Sequence, residues 1–183
     1  MDHPDHVALL RRAVEPAGPD GALWADLGSG SGAFTLALAD LLGPNGRIVS
    51  VDRDAGALRD QARSMTVHFP AVDLRQLTAD FMSELGLPPL DGVVMANSLH
   101  FQADHRRAVS HVRSMLRPGG RFVLVEYDAD HGNPWVPHPL SFETWRSTAV
   151  ACGLTEPRLV HRVPSRFLGA IYSAVSELRS GTR

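Results

Sequence analysis

Four short apolar segments, none with strict alternation of apolar and polar residues, constrain the fold more than any other feature of this sequence. They lie at residues 22–27, 47–52, 92–97 and 121–126. Runs of this length and composition are typical of strands buried on both faces of a parallel sheet. A weaker strand is predicted at residues 73–77, between the second and third runs.

Helical patterns lie between these strands. Before the last strand, apolar residues recur at helical spacing: Ala108, Val109, Val112, Met115 and Leu116. Residues 117–120, Arg-Pro-Gly-Gly, are predicted to end that helix, because proline cannot continue it and glycine accommodates the turn. A shorter stripe of Leu58, Ala62 and Met65 follows the second strand. Alternating strands and helices predict a doubly wound α/β fold.

The last third of the chain has a different pattern. Residues 128–139 are predicted to form a loop, and residues 141–151 a helix with Ser141 as its N-cap and Gly153 at its end. Two strand-like runs follow at residues 158–163 and 167–175. Since only residues 164–166 separate them, and a parallel crossover needs about a dozen, they are predicted to pair antiparallel.

A glycine-rich loop, Asp26-Leu-Gly-Ser-Gly-Ser-Gly32, joins the first strand to the helix that begins near Ala33. Glycines let the backbone turn sharply and approach a ligand, and the helix N-terminus adds free N–H groups. The pattern Gly28-x-Gly30-x-x-Ala33 also satisfies the dinucleotide fingerprint. The loop therefore predicts a nucleotide-type ligand without deciding its class.

Acidic residues end the next two strands. Asp52 lies twenty positions after Gly32, and its two carboxylate oxygens can accept both hydroxyls of a ribose. Asp80 and Phe81 follow the third strand, where an acid could accept from an adenine amino group while the ring covers the base.

Taken together, these motifs resemble those of class I S-adenosylmethionine (SAM)-dependent methyltransferases. The resemblance covers about residues 20–176. It rests on the glycine loop, Asp52, Asp80-Phe81, residues 91–97 and residues 116–122. It implies a mostly parallel seven-stranded sheet of order 3-2-1-4-5-7-6 with an antiparallel C-terminal hairpin. It also implies SAM as cofactor, S-adenosylhomocysteine (SAH) as product, and one SAM-binding domain at residues 21–183 after a short helical arm at residues 1–20.

The resemblance assigns cofactor contacts to the residues of these motifs. The glycine loop would pack against the methionine part of SAM with Asp26 nearby, Asp52 would bind the ribose, and Asp80 with Phe81 would frame the adenine. Asn97 and the residues after it would lie beneath the sulfonium. The full predicted cofactor set is Asp26, Gly28, Ser29, Gly30, Gly32, Asp52, Arg53, Asp80, Phe81 and Asn97.

The acceptor side is predicted from the residues that follow the fourth and fifth strands. Methyl transfer to a hydroxyl or a protonated amine needs a base, and histidine is suited to that role. His100 is our candidate base, and His131 is a weaker alternative. The predicted substrate pocket comprises His100, Phe101, Tyr127 and Trp135. The sequence Asn97-Ser-Leu-His100 differs from the Asn/Asp-Pro-Pro-Tyr/Phe motif of methyltransferases acting on DNA bases or glutamine.

Composition narrows the remaining chemistry. The chain of 183 residues contains no lysine, which excludes enzymes that need a lysine Schiff base or a P-loop lysine. The net charge of −2 gives no general attraction to nucleic acid, and a small-molecule acceptor is expected. No metal site is predicted, since Asp128, Asp130, His131 and His138 match no defined ligand spacing.

The sequence also gives expectations about location and partners. One cysteine, no signal peptide and no apolar run of membrane-spanning length predict a cytoplasmic protein without a membrane partner. Residues 5–14 can form a helix that could act as a small lid beside the cofactor. The sequence does not indicate an oligomeric state.

Other functions remain compatible with parts of this sequence. A NAD-dependent oxidoreductase is disfavoured by the C-terminal hairpin. An aminopropyltransferase using decarboxylated SAM would need an acidic polyamine-binding sequence, which is not recognisable here. A non-catalytic SAM-binding or partner-assembly protein stays open, because cofactor binding alone does not establish turnover.

Overall fold

One seven-stranded sheet forms the centre of the described chain. The computed structural model describes residues 1–165 and 167–180. The strands are β1 (Ala22–Leu27), β2 (Gly46–Asp52), β3 (Asp73–Thr78), β4 (Leu90–Ala96), β5 (Leu116–Tyr127), β6 (Arg158–Pro164) and β7 (Ala170–Glu177). Their order is β3-β2-β1-β4-β5-β7-β6, and β7 runs antiparallel to both of its neighbours. The predicted fold class and strand order are confirmed.

Helices cover both faces of this sheet. They are α1 (His3–Leu10), α2 (Ala33–Leu42), α3 (Ala55–His68), α4 (His105–Arg113) and α5 (Phe142–Ala151), with a 3-10 helix at Leu99–Phe101. Helices α1, α2 and α3 contribute apolar residues to one core, while α4 and α5 contribute to the other. Along β4, Val93 and Met95 belong to one core and Val94 and Ala96 to the other. Burial on both faces explains why the strands lack alternation.

The start of β5 differs from the prediction. Helix α4 ends at Arg113, and β5 already begins at Leu116, so Pro118 and the two glycines after it belong to the strand rather than to a separate turn. The register shifts between Leu90 and Gly92. A Cβ at Gly120 would lie 2.8 Å from the Leu90 carbonyl oxygen, so only glycine fits this irregular pairing.

The C-terminal hairpin is shorter on its second strand than predicted. Strand β7 begins at Ala170 and ends at Glu177, so residues 167–169 precede the strand rather than belong to it. The antiparallel pairing itself is as predicted. Ser141 is the N-cap of α5, and its hydroxyl accepts a hydrogen bond from the Thr144 N–H at 3.2 Å.

The N-terminal arm packs as part of the core. Val7, Leu9 and Leu10 of α1 are buried in the same cluster as Leu38 of α2. Beyond the helix, the Arg121 guanidinium donates to the Ala13 carbonyl oxygen at 3.1 Å. The arm therefore supports the sheet from one side. The predicted boundary between an arm at residues 1–20 and a domain at residues 21–183 stays a prediction. Residues 166 and 181–183 of that predicted domain lie outside the described residues.

We predict that Leu10→Ala lowers the free energy of unfolding by about 3 kcal/mol, because it opens a cavity at a fully buried position. Urea unfolding measures this change. Arg11→Ala is the matched control: the neighbouring side chain is exposed, so its loss should cost under about 0.5 kcal/mol. Equal effects of the two substitutions would contradict an arm built into the core.

Candidate functional site

The glycine loop is held against the end of β2. The N–H groups of Gly28 and Ser29 donate to the Val51 carbonyl oxygen at 2.8 and 3.1 Å, and the Gly30 N–H donates to Asp52 Oδ2 at 2.7 Å. Gly28 has a φ of 77°, and a Cβ there would lie 2.5 Å from the Ser98 Cβ. The loop thus approaches the segment after β4 more closely than any other residue type would allow.

A cavity of about 210 Å³ opens beside this loop at the carboxyl edge of the parallel strands. It lies where the chain order reverses between β1 and β4, the usual ligand position in open α/β sheets. The lining residues are Gly28, Asp52, Arg53, Ala79, Phe81, Asn97, Ser98, Phe101 and Gln102. Five of the predicted cofactor contacts therefore line one cavity: Gly28, Asp52, Arg53, Phe81 and Asn97.

Asp52 faces this cavity with both carboxylate oxygens already oriented. Its Oδ2 accepts from the Gly30 N–H at 2.7 Å, and its Oδ1 accepts from the Asp54 N–H at 2.8 Å. Each oxygen of a carboxylate can accept a second hydrogen bond. Asp52 is thus fixed in position and still has acceptor capacity for two neighbouring hydroxyl groups.

Asp80 is paired with Arg53 beside the cavity. Asp80 Oδ1 accepts from the Met82 N–H at 2.9 Å, and Oδ2 accepts from the Arg53 guanidinium. Partial burial alone would raise the pKa of Asp80, but these hydrogen bonds and the charge of Arg53 outweigh it and lower the pKa. The structure places Arg53 and Phe81 in the cavity wall, with Asp80 joined to the wall through Arg53.

Asn97 has two unusual features at the end of β4. Within the described chain it is the one non-glycine residue with positive φ, at 51°. Its side-chain Oδ1 is buried without a hydrogen-bond partner, although the residue lines the cavity. Backbone strain and an unpaired buried acceptor are both typical of ligand sites. This acceptor suits a ligand that donates a hydrogen bond.

The remaining predicted cofactor residues lie around the cavity rather than in its lining. Ser29 Oγ is 2.6 Å from Ser50 Oγ, and Gly30 has open space where a side chain would be. Asp26 is fully buried, and its Oδ2 accepts from the Thr35 hydroxyl at 2.6 Å. Burial raises the pKa of Asp26 to about 7, against the opposing effect of the Thr35 hydrogen bond. The contacts predicted for these residues stay predictions.

A buried imidazole–carboxylate pair lies on the other side of the same edge. His100 Nδ1 is 2.9 and 3.0 Å from the two carboxylate oxygens of Glu126, and the His100 backbone N–H donates to the same group at 3.2 Å. His100 is 3% exposed and Glu126 is fully buried. Glu126 was not among the residues predicted from the sequence. The available signal was an acidic residue at the end of a buried apolar strand, where a charge needs a partner.

Two aromatic rings, those of Phe101 and Tyr127, lie next to the His100 ring. Its ring centre is 4.3 Å from that of Phe101 and 5.9 Å from that of Tyr127. Burial and the nearby Glu126 charge raise the pKa of Tyr127. Phe101 is 61% exposed and lines the cavity. The structure thus brings together three of the four predicted pocket residues.

The loop after β5 carries the other predicted acceptor residues. Trp135 is 77% exposed and His131 is also exposed. The loop reaches the site through the His138 N–H, which donates to the His100 carbonyl oxygen at 3.0 Å. Asp128 pairs with Arg162 and accepts from the Phe142 N–H at 2.9 Å. Among residues 1–165 and 167–180, no three His, Cys, Asp or Glu side chains are grouped to hold a metal ion.

Comparison with known proteins identifies the family. Residues 25–122, more than half of the chain, match the family model of a methyltransferase domain. An uncharacterized methyltransferase of Mycobacterium tuberculosis is 32% identical over 151 residues, covering 81% of this chain and 68% of that protein. The chain belongs to the class I SAM-dependent methyltransferase family.

Solved methyltransferases share the fold at low identity. A 1,6-didemethyltoxoflavin-N1-methyltransferase from Burkholderia thailandensis, with 1,6-didemethyltoxoflavin and SAH bound, has a TM-score of 0.73 at 18% identity, covering 96% of this chain and 77% of that one. An O-methyltransferase family 2 protein from Planctomyces limnophilus, in complex with apigenin, has a TM-score of 0.69 at 22% identity, covering 96% and 56%. The chain spans less than half the length of several curated relatives that it matches.

The cavity residues fit SAM as the cofactor of this family. The close approach of Gly28 to Ser98 leaves backbone at the cavity wall, where a Cβ would collide. Asp52 retains acceptor capacity for a diol, and the unpaired Asn97 oxygen can accept from an ammonium or hydroxyl group. In the described part of the chain, no helix combines the length and apolar character needed to cross a membrane.

We predict that the stability of this methyltransferase depends on pH through Asp26. Its pKa is about 7 in the folded state against an ordinary 3.8, so the folded form retains a proton that the unfolded chain releases between these values. The protonated Asp26 carboxyl therefore makes its full contribution to the free energy of unfolding below about pH 4. This contribution is lost as the pH rises through about 7.

Asp26→Asn removes this titration while keeping an acceptor oxygen for Thr35. We compare the free energies of unfolding of the variant and the wild type at each pH. The variant value minus the wild-type value should rise by up to about 4 kcal/mol between pH 4 and pH 7, because only the wild type loses stability over this range. Urea unfolding at a series of pH values measures the difference. A difference that is constant across this range would contradict the buried position of Asp26.

Proposed function

We propose that this protein transfers the methyl group of SAM to a nucleophilic oxygen, nitrogen or other atom of a small-molecule acceptor. One observation carries the proposal. A single cavity is lined by Gly28, Asp52 and Phe81 on the cofactor side and by Phe101 on the acceptor side. The buried His100 lies directly against Phe101. Cofactor-binding groups and a candidate base thus meet at one sheet edge.

The cofactor side holds and orients SAM. Asp52 accepts hydrogen bonds from the ribose hydroxyls, while Phe81 and the guanidinium of Arg53 lie around the adenine. Asn97 Oδ1 accepts from the methionine part. SAM supplies an activated methyl group on its sulfonium when it is bound. The protein then has to align the nucleophile with that methyl and exclude water.

The acceptor side supplies a base. Glu126 accepts from Nδ1–H of His100, which fixes the tautomer and leaves Nε2 as the proton acceptor. Because Glu126 is fully buried, its negative charge stabilises the imidazolium formed when His100 takes a proton. His100 would remove the proton of the nucleophile as the new bond to the methyl carbon forms and the bond from that carbon to sulfur breaks, which releases SAH.

The walls of the acceptor side favour a flat, partly apolar small molecule. Phe101 and Tyr127 flank the imidazole, and the exposed face of Phe101 is available for stacking. The Burkholderia and Planctomyces neighbours hold 1,6-didemethyltoxoflavin and apigenin, which agrees with an acceptor of this size. Trp135 adds a second exposed ring on the loop after β5.

We predict that Asp52→Ala weakens the binding of SAM and SAH more than tenfold, a loss of more than about 1.4 kcal/mol, because the diol loses its acceptors. Isothermal titration calorimetry with SAM, SAH and NAD measures this. Asp60→Ala, an exposed carboxylate of α3 that pairs with Arg63, is the matched control and should leave affinity unchanged. Wild-type binding of NAD, with no response to SAM or SAH, would overturn the proposed function.

We predict that His100→Ala and Glu126→Gln slow methyl transfer by about 10²-fold or more while the SAM dissociation constant changes little, because they remove the base or its orienting partner. His161→Ala, an exposed histidine of β6, is the control and should keep full activity. Initial rates between pH 5 and pH 9 measure the effect. Full activity of His100→Ala across this range would rule out its role as base.

The acceptor can be found by incubating the protein and labelled SAM with a fractionated metabolite extract. Transfer of label to a small molecule, lost in Asp52→Ala, supports the proposal. SAM binding without label transfer to any fraction would favour a non-catalytic SAM-binding role instead.

A further inference from the structure

A buried chain of hydrogen bonds runs beneath the glycine loop and ends at Asp26. The Gln76 side-chain NH2 donates to the Leu58 carbonyl oxygen at 2.7 Å and to Gln61 Oε1 at 2.6 Å. Gln61 Nε2 donates to Thr35 Oγ1 at 2.9 Å, and the Thr35 hydroxyl donates to Asp26 Oδ2 at 2.6 Å. The chain connects β3, α3, α2 and β1, and its members Asp26, Thr35 and Gln61 are fully buried.

The direction of this chain is fixed at its outer end. The Leu58 carbonyl can only accept, so Gln76 must present its NH2 group there and toward Gln61. Gln61 must then offer its oxygen to Gln76 and its NH2 to Thr35. With its oxygen accepting from Gln61, the Thr35 hydroxyl has its proton free for Asp26. Asp26 Oδ2 is therefore held as an acceptor, whatever the protonation state of the other oxygen.

The same glutamine contacts the last glycine of the loop. A Cβ added at Gly32 would lie 2.4 Å from Gln61 Cγ, so the Gln61 side chain fills the space beside the residue that precedes α2. Gln61 thus packs against Gly32 at the end of the glycine loop. It is also connected to Asp26, at the beginning of the loop, by hydrogen bonds through Thr35. Asp26 is two residues before Gly28, which has no room to move toward Ser98. A displacement of Asp26 would therefore reach the cavity wall.

We propose that Thr35 and Gln61 are positioning residues for cofactor binding, which act by holding the Asp26 carboxyl as an acceptor beneath the glycine loop. This inference rests on the SAM-binding function proposed above. Neither residue lines the cavity. Their effect on SAM passes through Asp26 and the loop, and it has an electrostatic part, because SAM is a cation and a buried negative charge nearby favours its binding.

The charge of Asp26 gives this role a signature in pH. Burial raises the pKa of Asp26 to about 7, the Thr35 hydrogen bond opposes that rise, and the charge of Asp52 adds to it. The other described groups that face Asp26 carry no charge. They are Thr35 from α2, with Gln61 from α3 behind it, and the strand partners Ser50 in β2 and Val94 in β4. SAM affinity should therefore increase as the pH rises through about 7. Removing the Thr35 hydroxyl should move that increase to higher pH.

The test is the binding of SAM and SAH by isothermal titration calorimetry between pH 6 and pH 9. Thr35→Val removes the hydroxyl at constant shape, and Gln61→Met removes the amide at similar length. Each should weaken SAM binding at pH 7 by about fivefold, the factor that one average hydrogen bond contributes, and should shift the pH midpoint upward. Thr35→Ser keeps the hydroxyl and should restore both affinity and midpoint.

Thr148→Val is the matched control, because Thr148 is a buried threonine of α5 whose hydroxyl donates to the Thr144 carbonyl oxygen at 2.9 Å. It should leave the affinity and the pH midpoint at wild-type values. Circular dichroism establishes which variants are folded. If Thr35→Val does not fold, Gln61→Met and Thr35→Ser provide the comparison.

The outcomes separate this inference from the function on which it rests. Failure of the wild type to bind SAM would overturn both. Wild-type binding together with unchanged affinity and midpoint in folded Thr35→Val or Gln61→Met would overturn the positioning role alone. An equal loss of affinity at every pH, with no shift of midpoint and no rescue by Thr35→Ser, would also overturn it.

Discussion

The contact between the glycine loop and the segment after β4 determines where this protein can bind a ligand. Strands β1 and β4 are neighbours, but the chain leaves them toward opposite faces of the sheet, and a crevice opens between the two connections. Gly28 approaches Ser98 so closely that a Cβ would overlap it. The Ser98 hydroxyl also donates to the Leu27 carbonyl oxygen at 2.7 Å, so the end of β1 and the segment after β4 are joined beside the crevice.

Buried polar groups surround this crevice and are otherwise rare in the core. Asp26 is satisfied by Thr35, and Glu126 is satisfied by His100 and by the Tyr127 N–H at 2.8 Å. Burying a carboxyl without such partners would cost several kcal/mol. Asn97 differs because its oxygen has no protein partner. Protein groups therefore donate hydrogen bonds to both buried acids, Asp26 and Glu126, whereas the Asn97 oxygen is available to a ligand.

Much of this arrangement could be predicted from local sequence. The apolar runs and the weaker run at residues 73–77 placed β1 to β4 within two residues of their ends. Asp52 at the end of β2 and Phe81 shortly after β3 both lie at the cavity, as their sequence positions predicted. Glu126 could not be assigned a partner, because its pairing with His100 depends on the register of β4 against β5. The pairing of Asp80 with Arg53 was missed for the same reason, since the two residues follow different strands that only the sheet brings together. The start of β5 was missed because its glycines resemble a turn, whereas close packing on Leu90 requires them within the strand.

The four residues from Asn97 to His100 link the two halves of the proposed reaction. Asn97 has a strained backbone and lines the cavity, Ser98 is bonded to the end of β1, and His100 is bonded to the end of β5. A 3-10 helix begins at Leu99, directly after Ser98, so only one residue separates Ser98 from His100. A shift of the glycine loop would move Ser98, and through the same short segment it would move His100 relative to Glu126. In a displacement reaction that requires the nucleophile and the methyl carbon in line, such a shift would impair both cofactor binding and proton removal. The proposed base, His100, is thus linked to the cofactor side of the cavity through this short segment, and its partner Glu126 comes from the neighbouring strand β5.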